Sequence, residues 1–323
     1  MEQLNLAAQR EADQLAADPE RYRVAVHRIG GARVIDCGIA VPGGLEAGLA
    51  LARIGLGGLA TVTLQANPLT ELADLAGLAV QVVSDHPVRA CLASQYAGRA
   101  ISVDRYFAMG SGPMRAIWGN EKIYDDIGGR ESAPVAVGVL ETRKLPTEAV
   151  IAHIAAALQR PPEALTLAVA PTASLAGTVQ VVARCLETAL HKLHELHFDL
   201  SGIVSGAGIA PLVPPAADDL AGIGRTNDAI LYAGQVTLLV RTDDSLLTSV
   251  GPRVPSSASA AYGQPFVEVF RQAGGDFYRI DPLLFSPATV TFANLASGRV
   301  HAFGRPAPDV LRRSLAMTAT AGA

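Results

Sequence analysis

The sequence predicts a mixed α/β fold, on three observations. Short apolar, β-branched runs alternate along the chain with segments whose apolar residues recur every three to four positions. Half of the 323 residues are hydrophobic and 17% are charged, which allows a sizeable buried core and argues against disorder. The only glycine pattern that matches a dinucleotide fingerprint, GLGGLA at 55–60, has its flanks reversed. That fingerprint needs a strand before it and a helix after it. Here a helical segment precedes and the strand-like TVTLQ follows, so a Rossmann arrangement is excluded.

The elements follow in order. MEQLNLAAQREADQL reads as an acidic-leaning amphipathic helix and not as a signal peptide. Strands are expected at 33–41, 60–64, 79–83, 101–109, 134–140 and 165–170, where β-branched and apolar residues cluster. Helices are expected at 45–53, 89–96, 113–120 and 147–158, the third opening with Pro near its first turn. Further strands are expected at 228–231, 235–241 and 288–294, a helix at 264–273, and a frayed tail at 317–323. QRPPE at 159–163 interrupts a helical pattern and suggests a division into residues 1–160 and 161–323, whose segments can also interleave. No internal repeat is visible.

Composition narrows the function. The formal net charge of −4 and the lack of like-charge blocks argue against a nucleic-acid surface. Cys37, Cys91 and Cys185 are far apart, with no CxxC pair, so they read as reduced, structural thiols. The apolar stretch 44–60 is broken by Glu46, Arg53 and several glycines, so no membrane span is expected. A cytoplasmic protein is the resulting expectation.

The stretch PTASLAGTVQVVARCLETALHKLHELHFD, 171–199, carries the most information. It reads as one helix over 174–197, capped by Thr172 or Ser174. Val179, Val182, Leu186, Ala189, Leu193 and Leu196 form its apolar stripe, with Gln180, Arg184, Glu187, His191 and His194 opposite. Arg184 and Glu187 are three apart and so adjacent on one face. Such a pair is either a positioned general base or an ordinary ion pair worth ~0.2–0.5 kcal/mol. His191, His194 and His197 lack the HExxH spacing of a zinc helix and read as surface histidines suited to the helix's negative end.

MGSGP at 109–113, SGAGIAP at 205–211 and GRTND at 224–228 read as Gly-rich turns. Their glycines let backbone N–H groups approach a flat or anionic ligand, although each is also an ordinary tight turn. Several such loops with few charges would suit a wide, planar, mostly neutral ligand. The polar run SDHPVRACLASQYAGR at 84–99 reads equally as a pocket wall or a capped helix.

Taken together in this order, SDHPVRACLASQYAG, MGSGP, APTASLAGTVQVVAR with ETALHKLHEL, GAGIAPL with DDLAGIGRTNDAILYAG, and PSSASAAYGQPF with DFYRIDPLLFSPA resemble the methenyltetrahydromethanopterin cyclohydrolase family. The resemblance covers about residues 24–304. It implies two related α/β halves enclosing a cleft, a homotrimer, and no metal or cofactor, a pterin C1 carrier being the substrate. The implied reaction is hydrolysis of a cyclic methenyl amidinium to a formyl carrier. Glu187 would be the base for water, and Arg184 the partner that holds it ionised. Ser94, Gln95, Tyr96, Gly110, Ser111, Gly112, Gly206, Gly208, Arg225 and Asn227 are the expected substrate-binding residues. Met114 and Arg99 depart from the family pattern. A non-catalytic carrier-binding protein and the same reaction on a tetrahydrofolate carrier are the alternatives.

Overall fold

The structure is a computed structural model that describes residues 3–96 and 99–320. In chain order it begins with α1 (Leu4–Ala17), α2 (Pro19–Tyr22), β1 (Ala25–Ile29), β2 (Ala32–Asp36), α3 (Leu45–Gly55), β3 (Thr61–Ala66) and β4 (Leu78–Ser84). A π-helical segment, Val88–Gln95, leads to β5 (Arg99–Val103), β6 (Tyr106–Ser111), α4 (Met114–Trp118), α5 (Ile123–Ile127), β7 (Ala136–Glu141), α6 (Glu148–Leu158) and β8 (Leu165–Ala170). Then come α7 (Leu175–Val182), α8 (Cys185–Glu195), β9 (Ile203–Pro211), α9 (Asp219–Ala233), β10 (Gln235–Val240) and α10 (Asp244–Val250). The chain closes with α11 (Phe266–Gln272), β11 (Thr289–Asn294), β12 (Val300–Gly304) and α12 (Pro308–Thr320).

These elements form two compact units with interleaved segments. One comprises Met1–Thr61 and Val88–Gln180, the other Val62–Pro87 and Val181–Ala323. The chain passes from one to the other at 61, 87 and 180, and QRPPE lies inside the first unit, before β8.

The first unit is built on the sheet β1-β2-β8-β7-β6-β5. Its central strands β2, β8 and β7 are parallel, and β8 is buried at every position. Alternate residues therefore serve opposite faces. Val34, Leu165, Leu167 and Val169 meet Ile151 and Ile154 of α6 on one side. Ile35, Ala168 and Ala170 meet Ala8 and Leu15 of α1 and Leu51 of α3 on the other. The second unit is built on β12-β11-β10-β9-β4-β3. Both sheets contain one run of pairings: antiparallel, antiparallel, parallel. It is β5–β6–β7–β8 in the first and β4–β9–β10–β11 in the second. The two related α/β halves implied by the resemblance thus appear in strand order where no sequence repeat is visible.

Several local expectations change. The strand expected at 101–109 is the β5–β6 hairpin, turned at Asp104 with φ of 52°, a left-handed conformation that Asp tolerates. SGAGIAP is strand β9, not a turn. The GRTND turn and the strand at 228–231 both lie within α9. Its apolar ILYA run fits either period, and the Asp218 side chain, accepting the Ala221 N–H at 2.9 Å, starts a helix. The tail at 317–323 is helical in α12 as far as Thr320.

Asp228 fastens α9 to α11. It is fully buried, and both its carboxylate oxygens accept the Phe266 N–H, at 2.9 and 3.1 Å. Burial pushes its pKa up to about 7, against the lowering by hydrogen bonds from Ser314 and Phe266. Between the ordinary carboxylate range and about 7 the folded chain keeps a proton that the unfolded chain has lost. Stability should therefore fall as pH rises through that window, and the cost persists above it. Denaturant midpoints measured from pH 4.5 to 7.5 should decline more steeply for wild type than for Asp228→Asn. Equal slopes would count against this assignment.

Candidate active site

The helix expected over 174–197 is broken at Ala183 and Arg184, and this break sets the character of the Arg–Glu pair. Arg184 becomes the N-cap of α8, with φ of −78° and ψ of 1°, and Glu187 falls in that helix's first turn. The Arg184 N–H still bonds to the Val181 carbonyl at 3.0 Å, and its own carbonyl accepts the Thr188 N–H at 2.9 Å. In an unbroken helix Glu187 would sit mid-span. In the first turn the positive end of the helix dipole favours a negative side chain. Glu187 is only 4% exposed and Arg184 is half-buried, so the pair is not the solvated surface ion pair that spacing alone allows.

Two glycines place α8 on its sheet. A Cβ on Gly208 would lie 2.8 Å from the Leu186 nitrogen and 3.1 Å from its Cα. One on Gly206 would meet the Leu186 Cδ1 at 2.9 Å. Both expected substrate-binding glycines therefore have a packing role, letting the backbone between Arg184 and Glu187 rest on β9. Val182, Leu186, Ala189 and Leu193 are buried as the stripe predicts. Cys185 is buried, and burial pushes its thiol up to about 12, so it packs and does not act as a nucleophile. Towards the other end, buried Lys192 donates to the Leu283 carbonyl. Its ammonium is pushed down to about 8 by burial, with Asp281 opposing. His191 is 7% exposed and not a surface histidine, and burial, then His194 and Lys192, push its imidazole down to about 4.

In the first unit the structure gathers another group of expected residues. Ser94 and Gln95 are buried in the π-helical segment, a geometry frequent at functional sites, and Tyr96 follows half-buried. The Ser94 hydroxyl donates to the Gly55 carbonyl at 2.6 Å, and the Ser94 carbonyl accepts the Gly112 N–H at 3.0 Å. Gly110 and Ser111 end β6 at this point, and Gly112, just after it, takes a left-handed φ of 89°. Arg115, which sequence reasoning missed, is fully buried and organises the cluster. Its guanidinium forms a double contact with Glu121, at 2.9 and 2.5 Å, and donates to the carbonyls of Leu92 and Ser94. The Tyr124 hydroxyl donates to the Ala93 carbonyl at 2.7 Å. The available signal was a lone arginine in a short apolar helix directly after the GSGP turn.

The two departures from the family pattern find local explanations. Met114 is fully buried in the core of this unit, where Gly138 makes room for its sulfur. Arg99 lies over the Trp118 ring, 4.0 Å from its centroid.

Arg225 and Asn227 lie on α9 in the second unit. Arg225 Nη1 donates to the carbonyls of Pro214 and Pro215, and Asn227 Nδ2 to that of Ile223 at 2.8 Å. These contacts give both a structural role. Among the described residues no group of three or more His, Cys, Asp or Glu is placed to hold a metal ion, and no helix is long and apolar enough to cross a membrane.

Comparison with known proteins supplies the family. A family description, "Cyclohydrolase (MCH)", matches residues 3–315. The chain is 50% identical over 294 residues to a methenyltetrahydromethanopterin cyclohydrolase of Rhodopirellula baltica, covering 90% of this chain and 87% of that one. It is 45% identical over 312 residues to the enzyme of that name from Methylobacillus flagellatus, covering 94% and 93%. It is 43% identical over 290 residues to the one from Methanosarcina barkeri, covering 88% of each chain. With nearly its whole length matched and relatives 43–50% identical, the chain, folded as two related α/β halves, belongs to the MCH cyclohydrolase family.

Proposed function

We propose that this protein hydrolyses the methenyl bridge of 5,10-methenyltetrahydromethanopterin to the 5-formyl carrier, reversibly, as a cytoplasmic homotrimer in one-carbon metabolism. The observation that carries the reading is a carboxylate, Glu187, 4% exposed in the first turn of α8 with Arg184 as the helix cap, within a chain of this family. The substrate carbon lies between two nitrogens that share a positive charge, so it is electrophilic without a metal or cofactor. Glu187 orients a water and takes its proton as oxygen bonds to that carbon. The carboxylate also attracts the substrate cation in a site of low dielectric. The tetrahedral adduct then breaks its second C–N bond, and that nitrogen leaves protonated. Arg184 holds Glu187 and balances its charge.

Loss of methenyl absorbance, followed side by side with tetrahydromethanopterin and tetrahydrofolate carriers, tests the reading. Faster turnover of the methanopterin carrier is expected. Faster turnover of the folate carrier would favour the folate reaction. Binding of either carrier with no turnover would make the protein a carrier-binding module.

A further inference from the structure

Proton bookkeeping in the proposed reaction leaves one proton over. A cation and a water become a neutral formyl compound, one of the water's protons ends on the departing nitrogen, and the other must leave the site. If Glu187 accepts it, Glu187 must pass it on before the next cycle, and at 4% exposure it has little direct access to solvent.

We infer that the α8 face carrying Glu187, His191 and Glu195 conducts this proton from the base to solvent, with His191 as the relay. The inference rests on the reading of Glu187 as the base. The three residues are spaced by four, so they stack on one face of an eleven-residue helix. Helical side chains lean back over the preceding turn. Glu195 does so, bringing its Oε1 to 3.5 Å from His191 Nε2, and His191 stands one helical turn after Glu187 on the same face. Exposure rises along the series: Glu187 is buried, and the side chains of His191 and Glu195 are 9% and 34% exposed. The face thus runs from a buried base to a solvated carboxylate.

The groups around the imidazole keep it neutral at rest. Burial, then His194 and Lys192, hold it far below the usual histidine range, and His194 Nδ1 stands 3.9 Å from the same Glu195 oxygen. Asp281, from the segment packed against α8, acts on Lys192. A neutral imidazole has one accepting and one donating nitrogen, as a relay requires. The Glu187 O–H breaks as an N–H forms on the accepting nitrogen. The imidazolium then gives its other proton to Glu195, which releases it to water, and the neutral ring turns about its Cβ–Cγ bond to present an accepting nitrogen to Glu187 again. No oxidant, metal or second substrate is needed. His191 is in this sense a positioning and relay residue that acts through Glu187.

The test uses the full chain with His191→Gln and His191→Phe, assayed in weakly buffered solution with and without added imidazole. A relay predicts kcat reduced about 10-fold or more, within what positioned acid–base groups contribute, with KM and the thermal midpoint near wild type. Added imidazole should restore most of the loss, and Glu195→Gln should show a smaller, likewise rescued fall. Wild-type kcat in a folded variant would overturn the inference, as would a loss that imidazole does not relieve. Glu187→Gln separates this from the reading beneath it. If that variant is inactive and insensitive to imidazole while His191→Gln behaves as wild type, the base stands and the relay falls. If Glu187→Gln keeps wild-type turnover, the base reading fails first.

Discussion

Glu187→Gln is expected to fold normally and to lose turnover by about 10²–10⁴-fold, the range that a general base supplies. The amide keeps the shape of the side chain but cannot take a proton from water, and it no longer attracts the substrate cation. The effect should therefore appear in kcat, with a smaller rise in KM reporting the lost charge. Removing a buried carboxylate from the first turn of α8 also removes a favourable dipole interaction, typically ~0.3–1 kcal/mol, so a slight drop in the thermal midpoint is compatible with the assignment. Loss of methenyl absorbance at near wild-type rate would remove Glu187 from the mechanism.

Gly208→Val is expected to have the second large effect, through the position of α8. Gly208 is paired on both sides, to Val82 of β4 and Val236 of β10, so β9 cannot retreat. The first atoms a side chain would meet are the Leu186 nitrogen and Cα, which belong to the helix backbone. The helix must move or the sheet must distort, and overpacking of this kind costs about 1–3 kcal/mol. Because Leu186 lies between Arg184 and Glu187, kcat should fall together with stability. Gly206→Ala provides the contrast: its new methyl would meet the ends of the Leu186 and Leu238 side chains, which can turn aside. Denaturant midpoints and kcat for both variants decide the matter. Equal behaviour of the two would show that close approach of helix backbone to β9 is unimportant.

The sequence was legible where one period dominates. The strands at 165–170 and 235–241 and the helices at 45–53 and 147–158 lie within two residues of their expected places at each end. It was less legible where two readings share one pattern. The ILYA run of α9 suits a buried strand or a buried helix, and only the Asp218 cap distinguishes them. The glycines of GAGIAP suggested a turn, but in β9 they serve the approach of α8, a tertiary demand that composition does not announce. The break before α8 was invisible because Val179, Val182 and Leu186 are buried on both sides of it, so the apolar stripe continues across. For the same reason spacing alone left Glu187 undecided between a base and a surface ion pair. Its burial and its place in a first turn are three-dimensional facts. His191 was misread because a helix wheel assigns a polar residue to solvent, whereas both sides of α8 are covered.

The strand order also has a consequence in time. β4 ends at Ser84, but its hydrogen-bonded neighbour β9 begins only at Ile203, after all of 85–202 has been made. The first sheet, by contrast, has every strand once β8 ends at Ala170. At roughly 5–20 residues per second, β3 and β4 would wait some 6 to 24 seconds on the ribosome for their partner. During that interval Leu78 and Val83, exposed even in the folded chain, sit on a strand with an open edge. Nascent chains stalled between 100 and 200 should therefore be the most aggregation-prone stage of this protein's synthesis, and release past Pro211 should relieve it.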